Sequence, residues 1–281
     1  MRPTGTGLRL ETGVLFLVLT SFGMAAENPP VASAEPGTLL VLGEAKANGG
    51  QRESLGYAWD RKAEKPALLF SQRSLLVGDL HALAYARDGR RYYLCRNRFA
   101  IVRADSDGEE AYFTHHAYVR DLALDDRGDV YFSEASGAGR DGKVYRVVPA
   151  ADAAPAAVLV CTVRLQDVGY WAGDFAFGRT VDGGLDTDTL YLSSGNLVPA
   201  SIYRMTQKDG AWGKPERLFS DQMSISGLVL TGPREAYFVS GNRVFRLADF
   251  REAQVVLTLP DVSRLSDLTI VPAEVGGKKK D

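Results

Sequence analysis

Three aspartates stand at matching places in the chain: Arg120-Asp121-Leu122, Gly173-Asp174-Phe175 and Ser266-Asp267-Leu268. Each precedes a short run of alternating apolar residues. Three carboxylates gathered round one opening repel each other unless they are protonated or share a cation. Such hard oxygen ligands suit calcium or another divalent cation such as magnesium. The same residue type also caps turns by accepting hydrogen bonds from nearby backbone amides. Both readings stay open for Asp121, Asp174 and Asp267. Ala82 and Gly227 hold the equivalent place in two further segments.

Other polar residues fall at a second recurrent position, just after the next strand-like run: Glu44, Asn97, Glu134, Asn196 and Asn242. Tyr170 and Trp171 sit in a connection longer than its counterparts, as a ligand wall or as a plug between elements. Histidine occurs three times, at His81, His115 and His116. A histidine beside the same opening could act as a general base, and an ordinary loop histidine is the competing reading. Neither a Gly-x-Ser-x-Gly elbow nor an HExxH helix is present, so a nucleophilic triad or a zincin site has no support. Cys95 and Cys161 lack CxxC spacing and are expected as two buried free thiols. The acidic turns Asp182–Asp188 and Asp105–Gly108 do not follow EF-hand spacing.

The elements that must position these residues repeat. Leu122 and Leu124 alternate with Ala123 and Asp125, a turn follows at 126–128, and Val130-Tyr-Phe132 is a second run of strand formers. A third run ends at Arg146 and a fourth spans 157–160. The same order recurs from Leu83, Phe175 and Leu228, with third runs ending at Arg103, Arg204 and Arg246. Four short strands per unit, at a period of roughly 40–50 residues, predict an all-β propeller of four-stranded antiparallel blades. A lone sheet of this kind cannot bury both faces, and a ring of them can. At the ends, 268–270 reads as a first strand, and 39–42, 57–59 and 67–70 as second, third and fourth strands. Together they predict one blade built from both termini, which closes the ring and covers its edges. The count is five blades, and the span would also fit six of roughly 40 residues each. The aligned Arg61, Arg103, Arg146, Arg204 and Arg246 are expected near the rim, covering apolar strand surface with their stems.

The chain has 281 residues, 45% hydrophobic and 24% charged, with a formal charge of -2. That composition suits one globular domain and shows no basic stripe for nucleic acid. Residues 1–26 place Arg2 and Arg9 before an apolar run at 14–19 and small residues at 23–26, the order of a secretory signal peptide. Residues 27–37 read as a flexible linker, 38–273 as the propeller, and 274–281 as a disordered basic tail. The expectation is a secreted or periplasmic monomer with no stable membrane anchor once the signal is removed.

Tyr237-Phe-Val-Ser-Gly-Asn-Arg-Val-Phe-Arg246 resembles the core of an NHL repeat, and 190–196 with 202–204 shows the same cadence. Over most of residues 38–272 the chain is similar to the NHL and SMP-30/gluconolactonase-like propellers. In the lactonase branch the resemblance implies a divalent metal held at the channel mouth by Glu, Asn and Asp, the latter two ahead of glycine. None of the strand entries here has that form, and Glu44 matches the glutamate only loosely. The reading is therefore a binding module for a small-molecule ligand or an extracytoplasmic protein. Its mouth would be lined by Asp121, Glu134, Trp171, Asp174, Asn196, Asn242 and Asp267. The alternative is an SMP-30-like lactonase or hydrolase with calcium or another divalent cation on Asp121, Asp174 and Asp267.

Overall fold

The computed structural model describes residues 37–46, 52–73, 80–86, 88–95, 99–105, 108–137, 139–150, 154–195 and 198–271. The expected signal peptide, nearly all of the linker, the tail, Asn97 and Asn196 lie outside the described residues.

The strands follow the predicted order. The first set is β1 (Leu39–Lys46), β2 (Arg52–Trp59) and β3 (Ala67–Arg73). The second is β4 (Leu80–Tyr85), β5 (Arg91–Cys95), β6 (Ala100–Asp105) and β7 (Gly108–Thr114). The third is β8 (Val119–Leu124), β9 (Val130–Glu134), β10 (Gly142–Val148) and β11 (Ala156–Val163). A short helix, α1 (Leu165–Val168), leads into β12 (Phe175–Arg179), β13 (Leu185–Ser193), β14 (Ala200–Lys208) and β16 (Glu216–Asp221), with a two-residue strand β15 (Ala211–Trp212) beside β14. The fifth is β17 (Ser226–Gly232), β18 (Glu235–Ser240), β19 (Arg243–Ala248) and β20 (Glu252–Thr258). Strand β21 (Arg264–Ile270) pairs antiparallel with β1, from Leu39 opposite Ile270 to Glu44 opposite Arg264. The two ends of the chain thus share one blade, ordered β21-β1-β2-β3. The described residues form five such sheets, and no sixth blade.

The apolar core explains why the blades form a ring. Its buried residues fall into five layers, each contributed by two neighbouring blades. Leu122, Val130 and Phe132 of the third blade pack on Ala82, Tyr92 and Ile101 of the second. Val144, Cys161 and Val163 pack on Phe175, Phe177 and Leu190 of the fourth. Leu39, Val41 and Leu268 of the shared blade pack on Val229, Tyr237 and Val244 of the fifth. Each sheet buries both of its faces this way, which no single blade could do.

Four of the five aligned arginines lie on third strands in a repeated pair, whereas Arg61 was expected on one and falls in the turn after β2. Tyr92 is opposite Arg103, Tyr131 opposite Arg146, Tyr191 opposite Arg204 and Tyr237 opposite Arg246. The guanidinium ends then meet acids: Arg103 with Glu110, Arg146 with Asp129 at 3.5 Å, Arg204 with Glu216 at 2.6 Å and Arg246 with Glu235 at 2.6 Å. The stems cover aromatic strand surface while the charges are matched locally, so the arginines present no basic patch.

Candidate functional site

The first strand of each blade is innermost, and β4, β8, β12, β17 and β21 contact one another in sequence round the ring. Asp121 and Asp267 are buried on these strands and Asp174 is half-buried beside them. Their carboxylates are turned into the backbone. Asp121 accepts from its neighbour Leu122 N at 2.8 Å and from Phe175 N of the next blade at 2.8 Å. Asp267 accepts from Leu268 N at 2.7 Å and from Leu83 N, again in the next blade, at 2.9 Å. Asp174 accepts from Ser193 Oγ at 3.3 Å and from the backbone amide of Gly227, the next inner strand. Each aspartate is therefore a latch between its own blade and the following one. Gly227, which replaces the aspartate in the fifth blade, makes a closer join. Its φ of +54° is the left-handed region, and an added Cβ would lie 2.6 Å from Leu268 N.

Burial sets the protonation of this ring. It pushes Asp267 up to about 7 and Asp174 up to about 6. Asp121 rises well above the usual carboxylate range, first through burial and then through repulsion from Asp267 and Asp174. Latched and partly protonated, these carboxylates do not present a shared set of open oxygen ligands. Beneath them the channel encloses about 60 Å³ beside Leu122, Phe175 and Leu268. That is well below the few hundred Å³ of an ordinary small-molecule pocket. A ligand of that size does not fit in this part of the channel.

Trp171 is 1% exposed, so its ring faces no solvent at the mouth. Its Nε1 donates to Asp174 O at 2.9 Å, and its backbone N donates to Ser136 Oγ at 2.7 Å. It plugs the join between the third and fourth blades, and Gly142 lies flat against its ring. Asn242 is similarly occupied, with Nδ2 donating to Leu259 O at 3.2 Å. Tyr170, beside the plug, is half-buried and packs over Gly137.

Glu134 is different. It ends β9, opposite Val119 on the inner strand and Lys143 on β10, with its side chain still 16% exposed. The turn between β7 and β8 delivers His115 to it, with Nε2 at 2.5 Å from Oε1. His115 is held by a backbone hydrogen bond from its N to Phe99 O at 2.8 Å, and its ring packs on Phe113, Phe132 and Tyr145. The exposed His116 ring lies 4.3 Å from that of His115, centre to centre. Sequence reasoning named His115, His116 and Glu134 but did not bring them together. The available signal was positional: a fourth-strand end and a second-strand end of neighbouring blades face the same side.

Beside this cluster, Phe99, 48% exposed, meets Tyr118 edge to face with centroids 6.0 Å apart. Arg120 lies over the Tyr118 ring, 5.1 Å from its centre, while its Nε donates to Ala172 O at 2.8 Å. The rim between the second and third blades is thus an aromatic and charged surface fixed by the backbone beneath it.

With this geometry in view, the fold is similar to solved propellers. It matches the structure titled a nidogen/laminin complex at a TM-score of 0.50 and 14% identity, over 84% of this chain and 98% of the other. It also matches XC5397 from Xanthomonas campestris, titled a gluconolactonase, at a TM-score of 0.49 and 16% identity, over 82% of this chain and 79% of the other. A third match is titled a putative gluconolactonase, at a TM-score of 0.48 and 13% identity, over 83% and 81% of the two chains. No protein-family profile matches the chain, and no curated protein sequence does. At these identities the likeness speaks to the fold alone; the five blades are given by the sheets of this chain, and function must come from the site. Among the described residues, no helix is long and apolar enough to cross a membrane.

Proposed function

We propose that the protein is an extracytoplasmic binding module, secreted or periplasmic and monomeric, whose channel-mouth face meets a small-molecule ligand or a protein. The observation that carries this reading is the division of labour at the mouth. Asp121 and Asp267 give both carboxylate oxygens to backbone amides, while Glu134, His116, Tyr118, Phe99 and Arg120 form a supported polar and aromatic rim. Aromatic side chains with few rotatable bonds, next to an arginine, are the residue types that anchor recognition surfaces. The lactonase alternative calls for open oxygen ligands on Asp121, Asp174 and Asp267, and the latching of those groups favours binding over that chemistry.

The test is capture from an extracytoplasmic fraction with the full mature chain, its Tyr118→Ala and Phe99→Ala variants, and Val181→Ser on the opposite face, where Val181 is 94% exposed. The proposal expects a partner retained by wild type and Val181→Ser and lost with the mouth variants. A partner held equally by all four proteins would overturn the assignment of this face.

A further inference from the structure

We propose that His115, His116 and Glu134 form a site for a transition-metal dication of the zinc class. It does not rest on the binding-module reading, since an ion can sit there whatever else the face meets.

Each residue offers one ligand atom, and the three atoms lie within 4.8 Å of one another. Among the described residues, the three latching aspartates do not form such a group. Two imidazoles with one carboxylate are a nitrogen-rich set. Imidazole suits zinc, copper, nickel and iron, whereas calcium and magnesium prefer oxygen throughout. The site therefore selects a different class of ion from the one an acidic ring would take.

The supporting structure is rigid where it needs to be. Glu134 stands at the end of a strand paired on both sides, opposite Val119 and Lys143. His115 is 7% exposed and wedged among Phe113, Phe132 and Tyr145. The Tyr145 ring packs on His115 and its hydroxyl lies near enough to feel the Glu134 charge, which places it just outside the three ligands. His116 is exposed, so the third ligand approaches from the solvent side. Three protein ligands with the remaining position toward solvent is the arrangement of an open site, able to hold water or a donor group from a bound molecule.

Without metal, His115 and Glu134 share a hydrogen bond at 2.5 Å. Two ligands of a tetrahedral ion with bonds of about 2.05 Å stand about 3.3 Å apart. Entry of the ion thus requires this contact to widen by under about 1 Å, with the cation replacing the shared proton. Lys143, across from Glu134, opposes the incoming charge and moderates affinity.

The experiment is calorimetric titration of Zn²⁺ and, separately, Ca²⁺ into the metal-stripped full mature chain, with Co²⁺ absorption as a second readout. The variants are His116→Asn and Glu134→Gln. His116 is exposed, so its substitution leaves the fold intact, and circular dichroism checks that. The expected result is one Zn²⁺ per chain, a visible Co²⁺ band with nitrogen ligation, no comparable Ca²⁺ binding, and affinity reduced roughly tenfold or more in both variants. Absence of Zn²⁺ and Co²⁺ binding, or binding unchanged in His116→Asn, would overturn the proposal.

Discussion

Substitution of Asp267 by asparagine tests the latch and its protonation together. Burial raises the folded-state value of Asp267 from 3.8 to about 7, so the folded chain holds this proton more tightly than the unfolded chain does. Below about pH 4 both states are protonated and the group imposes no electrostatic loss. As pH rises through the window from about 4 to 7, the unfolded chain ionises first and stability falls by about 1.4 kcal/mol per unit. Above about 7 both states are ionised and the loss is complete. Going from pH 8 to pH 5 therefore restores about 2–3 kcal/mol through Asp267 alone. Asparagine keeps one carbonyl acceptor and turns an NH₂ toward the other amide, either Leu83 N or Leu268 N. That costs about 1–3 kcal/mol at any pH. Urea unfolding of wild type and Asp267→Asn at pH 5 and pH 8 separates the two effects, because the histidines and paired acids cancel between the proteins. Wild type has itself lost about 1–2 kcal/mol through Asp267 by pH 5, so the variant should be at most about 2 kcal/mol less stable there. That deficit should vanish or reverse at pH 8, a difference between differences of about 2–3 kcal/mol. An equal deficit at both pH values, or a larger one at pH 8, would refute the reasoning that the buried carboxyl is held protonated.

Three further outcomes follow from particular contacts. Asp121→Ala removes the acceptor for Leu122 N and Phe175 N, and should cost about 2–6 kcal/mol at pH 5, measured by urea unfolding. At Gly142 a Cβ would meet the Trp171 ring at 2.3 Å, so Gly142→Ala should lower stability by about 1–3 kcal/mol through overpacking, visible as a lowered Tm. Burial pushes the Cys161 thiol up to about 12, so a thiol reagent at pH 8 should leave it unlabelled in the folded protein and label it on addition of denaturant.

Much of the architecture was legible because it is local. Alternation such as Leu122-Ala123-Leu124, then a turn, then Val130-Tyr-Phe132, specifies a hairpin whatever surrounds it. The unpaired first strand at 268–270 likewise implied a partner near residue 39, and β21 does pair with β1. Less legible were α1 and the added strand β15, since a single turn of helix and a two-residue strand carry almost no periodicity. The aspartates show where the boundary lies. Their recurrence was plain in the sequence, but a carboxylate offers the same oxygens to an amide as to a cation, and residue type alone cannot choose.

What the sequence by itself determined is the repeating unit and the closure from both termini, because hydrophobic period and turn chemistry act over a few residues; the choice of five units over six came from the sheets themselves. What only the tertiary structure decided is the use made of each polar side chain. Asp121 meets an amide 54 residues away and Asp267 one 184 residues away, distances set by the ring. Trp171 left the mouth for the interior because the apolar layer between the third and fourth blades took its ring. His115 and Glu134, 19 residues apart, meet because a fourth-strand end and a second-strand end of neighbouring blades open on one face.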